Sequence, residues 1–139
     1  MSAPPEERAA PPAPGAAHPG GIILVIEDDD TVRWVTQRVL ERSGFRVLLA
    51  RDGPEGMDLF RGRGPEIVLV ILDLTLPHLG GEEVFRQLRL QRPDVRVLLM
   101  SGYTEQEVTS RFQGKGLAGF VQKPFQLPAL LAKVRQALA

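Results

Sequence analysis

The sequence predicts an α/β fold: one parallel sheet with helices on both faces. Three observations carry that prediction. Five short apolar runs, four of them rich in Val, Ile and Leu, alternate with five segments of helical period. The run Val68 to Leu72 is apolar without alternation, as a strand buried on both faces requires. Finally, the runs end on reactive groups, and in a parallel sheet those ends emerge on one edge, where ligands bind. Right-handed βαβ units follow from the same rhythm, with no internal repeat and no second domain.

The elements follow in order. Residues 1 to about 20 hold six of the 12 prolines among Ala and Gly without periodicity. Such a stretch cannot repay its ordering entropy, so it is expected to be a disordered or PPII-like tail, or a linker from a longer parent chain. His18 in it is expected to be inert. Ile22 to Ile26 is a short apolar strand, followed by Glu27, Asp28, Asp29 and Asp30. Val32, Val35, Val39 and Leu40 recur at helical spacing, giving a helix from about Thr31 to Ser43 that Gly44 ends. Trp34 falls off that stripe and should be partly exposed. Phe45 to Ala50 is the next strand. Asp52 and Gly53 turn into a helix carrying Met57, Leu59 and Phe60, broken by Gly62 and Gly64.

The central strand comes next and ends on Asp73, where Pro77, Gly80 and Gly81 force an exposed turn. A charge at the end of a buried strand is costly unless something uses it. A helix from about Glu82 to Gln91 turns Val84, Phe85 and Leu88 inward, and Pro93 stops it. Val95 to Met100 is the fourth strand, ending at Ser101. A helix from about Glu105 to Gln113, a strand from Ala118 to Gln122 closed by Lys123 and Pro124, and a helix from Leu127 to Leu138 complete the chain.

The totals narrow the functions open to it. A chain of 139 residues buries a normal core as one domain, with 43% apolar and 24% charged residues. Lys+Arg and Asp+Glu balance at 17 each, so no global field draws in nucleic acid or anionic lipid. Zero cysteines exclude disulfides and thiolate chemistry. No apolar run suits a transmembrane helix and the first residues do not read as a signal peptide, so a cytoplasmic protein is expected.

What remains is local. Glu27 and Asp28 follow the first strand, Asp73 ends the third, Ser101 the fourth and Lys123 the fifth. Carboxylates within about 4 Å repel by roughly 4 kcal/mol per pair at an effective dielectric of about 20, so such a cluster holds a proton or a cation. All-oxygen ligands without Cys favour Mg²⁺. Lys123 and Ser101 suit the oxygens of an anion beside the metal, and the set describes phosphoryl transfer onto or off Asp73. The run of four acids leaves the register open by one residue. The pair is set at Glu27 and Asp28 because Asp29 or Asp30 is needed as the helix N-cap.

The stretches Ile23 to Asp29, Asp73 to Gly81, Leu99 to Tyr103 and Gly119 to Phe125 together resemble the two-component response-regulator receiver domain, over about Gly21 to Ala139. The resemblance implies a flavodoxin-like (βα)5 three-layer sandwich of strand order 2-1-3-4-5. It implies a phosphoacceptor switch in which Asp73 takes phosphate from a histidine kinase or phosphotransfer domain. Asp28, Asp73 and the Thr75 backbone carbonyl would ligate Mg²⁺, with Glu27 holding a metal-bound water. Ser101 would bond the phosphoryl group and Phe120 would be the switching aromatic, although Phe120 reads equally well as plain core. Lys123-Pro124 would be a cis peptide, Thr75 and Tyr103 would tune the phosphoryl lifetime, and the helix4–strand5–helix5 face would respond.

Two residues depart from the common pattern: Glu27 stands where many relatives have Asp, and Phe120 where many have Tyr. The segment after Ser101 resembles receivers at the carboxyl end of hybrid sensor kinases, so a piece of such a kinase and a stand-alone receiver both remain open. Such a domain would catalyse its own phosphorylation and slow dephosphorylation rather than turn over a substrate. It would be a monomer or a weak phosphorylation-dependent dimer, without nucleic-acid or membrane partners. His78 near the site has no evident partner. Two rivals stand beside this reading. One is a phosphorylation-independent interaction module, which would be marked by loss of an acid or the lysine. The other is an Asp-nucleophile phosphohydrolase, which would want a second Asp where Thr75 stands.

Overall fold

The computed structural model describes residues 21–77, 79–112 and 114–139. The proline-rich segment 1–20, His78 and Gln113 lie outside the described residues, and the expectations for them with them. The elements are β1 (Ile22–Ile26), α1 (Asp30–Arg42), β2 (Arg46–Ala50), α2 (Gly53–Arg63), β3 (Ile67–Asp73), α3 (Gly81–Gln91), β4 (Val97–Ser101), α4 (Glu105–Phe112), β5 (Gly119–Gln122) and α5 (Leu127–Leu138). The five strands form one parallel sheet in the order β2-β1-β3-β4-β5, the flavodoxin-like order that the resemblance implied.

Side-chain alternation along the strands divides the core in two. Leu24, Ile26, Val70, Leu72, Val97 and Leu99 face Met57, Phe60, Val84, Phe85, Leu88, Val108 and Phe112 of α2, α3 and α4. Ile23, Val25, Leu69, Ile71, Leu98 and Met100 face Leu40 of α1 and Leu130, Val134 and Leu138 of α5. All five residues of β1 are buried, as the apolar run demands of a strand covered on both faces.

Most boundaries agree with the sequence to within a residue or two, and the differences have physical causes. Asp29 caps α1, its side chain accepting from Val32 N at 2.9 Å. The helix buries Thr36 and Leu40 fully, while Val32, Val35 and Val39 are half-buried, so the buried stripe is narrower than the valines suggest. Gly62 does not break α2: it is exposed, a Cβ there would meet nothing within 4 Å, and the helix runs on to Arg63 before a 3₁₀ turn at Gly64–Glu66. Strand β4 begins at Val97 rather than Val95, because Val95 N closes a turn onto Arg92 O at 2.9 Å. Thr104 and Glu107 form a reciprocal capping box at α4, Glu107 N to Thr104 Oγ1 at 3.2 Å and Thr104 N to Glu107 Oε1 at 2.9 Å.

Candidate functional site

Strand register brings the reactive ends together. Ile26 pairs with Leu72, and Asp73 pairs with Met100, so Glu27, Asp73 and Ser101 occupy successive positions along one edge of the sheet. Lys123 is tied to the same edge by its backbone, Lys123 N donating to Ser101 O at 2.7 Å. The Lys123–Pro124 peptide is cis.

Glu27, Asp28 and Asp73 each present a carboxylate oxygen, and these oxygens lie within 4.8 Å of one another. Glu27 is fully buried and Asp73 is 3% exposed, whereas Asp28 is open to solvent. Lys123 Nζ lies 2.8 Å from Glu27 Oε1 and 3.4 Å from Asp73 Oδ2. The shorter pair is an ion contact outside hydrogen-bond alignment, which leaves Glu27 Oε1 buried without an aligned donor. Glu27 Oε2 accepts from Asp29 N at 3.0 Å, and Asp73 Oδ1 accepts from Thr75 N at 3.0 Å. Ser101 is buried, and its Oγ accepts from Tyr103 N at 2.9 Å.

One lysine for three carboxylates leaves the edge electron-rich. Burial pushes the Asp73 carboxyl up to about 7, helped by the charge of Glu27 and opposed by Lys123. Burial works against the Lys123 charge, but Glu27 and Asp73 outweigh it and hold the ammonium above its ordinary value. Hard oxygen donors, an excess of negative charge and a buried carboxylate oxygen without an aligned donor fit a small divalent cation. Their spacing suits Mg²⁺, which accepts few protein ligands and retains water.

The remaining sequence candidates are placed as follows. Thr75 is exposed beside Asp73, and Phe120 is 9% exposed within the α2–α3–α4 core. Trp34 is 56% exposed, with the Arg38 guanidinium 4.9 Å from its ring centre. Tyr103 is 43% exposed, with Arg111 over its ring at 5.3 Å. Sequence reasoning missed Arg33, whose guanidinium reaches back to the Glu27 carbonyl at 2.8 Å. Its signal was a basic residue three positions after Asp30 at the start of a helix, which reads first as an ordinary surface pair.

The protein is of the α/β class, a doubly wound parallel sheet with an acidic C-terminal edge. The model of the response regulator receiver domain matches residues 23–135, and the chain belongs to that family. Among curated relatives it is 39% identical over 118 residues to the response regulator MprA of Mycobacterium sp. (strain KMS), covering 84% of this chain and 50% of that one. It is 32% identical over 116 residues to the sensor kinase CckA of Brucella abortus (strain 2308), covering 84% of this chain and 12% of that one. The chain thus spans about half or less of the length of these relatives.

Among solved structures, a receiver domain protein from Clostridium thermocellum superposes with a TM-score of 0.78 at 26% identity, covering 85% of this chain and 94% of that one. The CheX–CheY–BeF3–Mg²⁺ complex from Borrelia burgdorferi contains a chain with a TM-score of 0.78 at 25% identity, covering 86% and 90%. Similarity to receivers of sensor kinases, read from the segment after Ser101, agrees with the CckA match. No described helix is long and apolar enough to cross a membrane.

Proposed function

We propose that this receiver is a phosphorelay switch in which Asp73 accepts a phosphoryl group from the phosphohistidine of a histidine kinase or phosphotransfer domain, in the cytoplasm. The observation that carries it is the 3%-exposed Asp73 carboxylate, next to both a second buried acid and the Lys123 ammonium. An Asp73 oxygen forms the new O–P bond as the N–P bond to the donor imidazole breaks, and the bonding pair returns to the imidazole nitrogen. Lys123 turns from the carboxylates toward the incoming phosphoryl oxygens, and the Ser101 hydroxyl donates to one of them. Glu27, Asp28, Asp73 and the Thr75 carbonyl would hold Mg²⁺, with Glu27 acting through a bound water. When bound, Mg²⁺ supplies charge neutralisation for the carboxylates and the transferring group.

The transferred group adds a charge of about −1.5 to −2, which biases a two-state equilibrium on the α4–β5–α5 face through Ser101 and Phe120. Slow hydrolysis at Asp73, tuned by Thr75 and Tyr103, resets the switch. The rival interaction module would be marked by loss of an acid or the lysine, and none of them is lost here. An Asp-nucleophile phosphohydrolase lacks its second Asp, since Thr75 holds that position with an exposed side chain. The test is addition of acetyl phosphate or beryllofluoride with Mg²⁺, followed by mass spectrometry and amide NMR. An adduct on Asp73, absent in Asp73→Asn, is expected; failure of both reagents to change mass or spectrum would refute the proposal.

A further inference from the structure

Arg33 is a charged side chain beside the site that the phosphoacceptor reading leaves unused. It is the fourth residue of α1, and its side chain is only 13% exposed, rare for an arginine. Nη1 donates to the Glu27 carbonyl at 2.8 Å and approaches the Asp28 carbonyl at 3.4 Å, while Nη2 pairs with Asp30 Oδ1. Asp30 is 88% exposed, so that pair does not cover the guanidinium, which lies against the two carbonyls.

The chain leaves the sheet at this point. Glu27 N still bonds to Ala50 O at 3.0 Å, after which the β1–α1 turn has no ladder to fix it. One guanidinium nitrogen, Nη1, contacts the backbone carbonyls of two consecutive residues whose side chains supply two of the three carboxylates. From this we infer that Arg33 is a positioning residue of the cation site, setting the Glu27–Asp28 backbone so that both carboxylates converge on Asp73. The inference rests on the Mg²⁺ reading above.

Two physical effects of Arg33 have opposite signs, and this makes the inference testable. As a bare positive charge beside the site, Arg33 opposes cation binding, so its removal would tighten Mg²⁺. As a clamp on the turn it favours binding, and its removal loosens Mg²⁺. Supporting groups of this kind are worth about 10–100-fold in metal affinity.

The experiment is an amide-NMR titration of the full chain with MgCl₂, for wild type, Arg33→Gln, Arg33→Lys and Asp30→Asn. Metal-free amide exchange is measured on the same samples. Mg²⁺ is expected to bind at least about tenfold more weakly to Arg33→Gln. Arg33→Lys, which keeps the charge but has a shorter reach to the two carbonyls, should fall in the same direction, and Asp30→Asn should stay within about twofold of wild type. Without metal, the Asp29 amide, which donates to Glu27 Oε2, should exchange faster in both Arg33 variants, with the Val70 and Leu99 amides unchanged. A merely structural role would lower protection throughout the core instead. Equal or tighter Mg²⁺ binding by Arg33→Gln, with normal binding by wild type, overturns the inference alone. A wild type that takes up no Mg²⁺ overturns the cation site and this inference together.

Discussion

Replacing Asp73 by Asn should make the metal-free protein more stable at pH 8, although it removes the proposed phosphoacceptor. The carboxyl is 3% exposed and is raised from 3.8 to about 7, by burial first and by Glu27 second, against the pull of Lys123. In the unfolded chain it ionises near about 3.9. Below that value both states hold the proton and the group costs the fold nothing. Between about 4 and 7 the unfolded chain has released its proton while the folded one keeps it, so stability falls with rising pH through this window and stays low above it. The full difference corresponds to about 4 kcal/mol at roughly 1.4 kcal/mol per unit. The pull of Lys123 at 3.4 Å is already contained in that difference, and relaxation and water entry around the ionised carboxylate recover part of it. A gain of about 1–2 kcal/mol at pH 8 is therefore expected for Asp73→Asn, about 5 °C in Tm for a domain this size.

The assay is thermal unfolding of both proteins from pH 4 to pH 8.5 in EDTA and again in Mg²⁺. Every titrating group away from the site behaves alike in both, so the difference between the two proteins reports Asp73 together with its coupling to Glu27 and Lys123. The difference should vanish near pH 4 and grow toward pH 8. Mg²⁺ should shrink or reverse it, because a ligand that binds only the folded state stabilises wild type by mass action. An Asp73→Asn protein less stable than wild type at pH 8 in EDTA would falsify the crowding argument, as would a difference independent of pH.

Two further outcomes follow from the same geometry. Asp28→Asn should weaken Mg²⁺ binding by about two orders of magnitude in a calorimetric or NMR titration, yet move the metal-free Tm little. Crowding alone, judged from the sequence, suggests a rise in Tm, but Asp28 is open to solvent, where screening leaves little repulsion to relieve. Gly81→Ala should destabilise the fold by about 1–3 kcal/mol and impair adduct formation, since its Cβ would come within 2.6 Å of Leu74 Cα and 2.7 Å of Asp73 O. Gly80→Ala, with nothing within 4 Å, should be tolerated, and equal melting of the two variants would refute the packing argument.

The parts legible in the sequence were those where one residue type at one place has a single physical use. A charged residue ending an unbroken apolar strand, as Asp73 does, has no bland role, and strand ends in a parallel sheet converge by topology alone. The register of the acid run was legible because a helix needs a cap, and Asp29 is that cap. What stayed illegible depends on distance rather than order. Glu27 and Asp28 are adjacent in sequence, yet one is fully buried and the other exposed, because only the first is still covered by the sheet. The turn of Arg33 back onto two carbonyls leaves no trace in period or composition. Gly62 looked like a breaker, and on an exposed helix face it is not one.

The resting hydrogen bonds also indicate where a signal at Asp73 should first be felt. Ser101 Oγ is engaged as an acceptor by Tyr103 N at 2.9 Å while its O–H stays free to donate, so a hydroxyl drawn toward a phosphoryl oxygen pulls the Tyr103 amide along or breaks that contact. Tyr103 lies under Arg111 of α4 at 5.3 Å, and Arg111 in turn pairs with Glu82 of α3 at 2.5 Å. Helix α4 has eight residues and buries only Val108 and Phe112, the latter edge-on to Phe85 at 5.5 Å, so little buried area opposes its movement. On beryllofluoride addition the Tyr103 amide should therefore shift at least as far as those of Asp73 and Thr75, with residues of α4 following and those of α2 staying still. Large shifts around Asp73 with Tyr103 and α4 unmoved would mean that Ser101 does not carry the change out of the site.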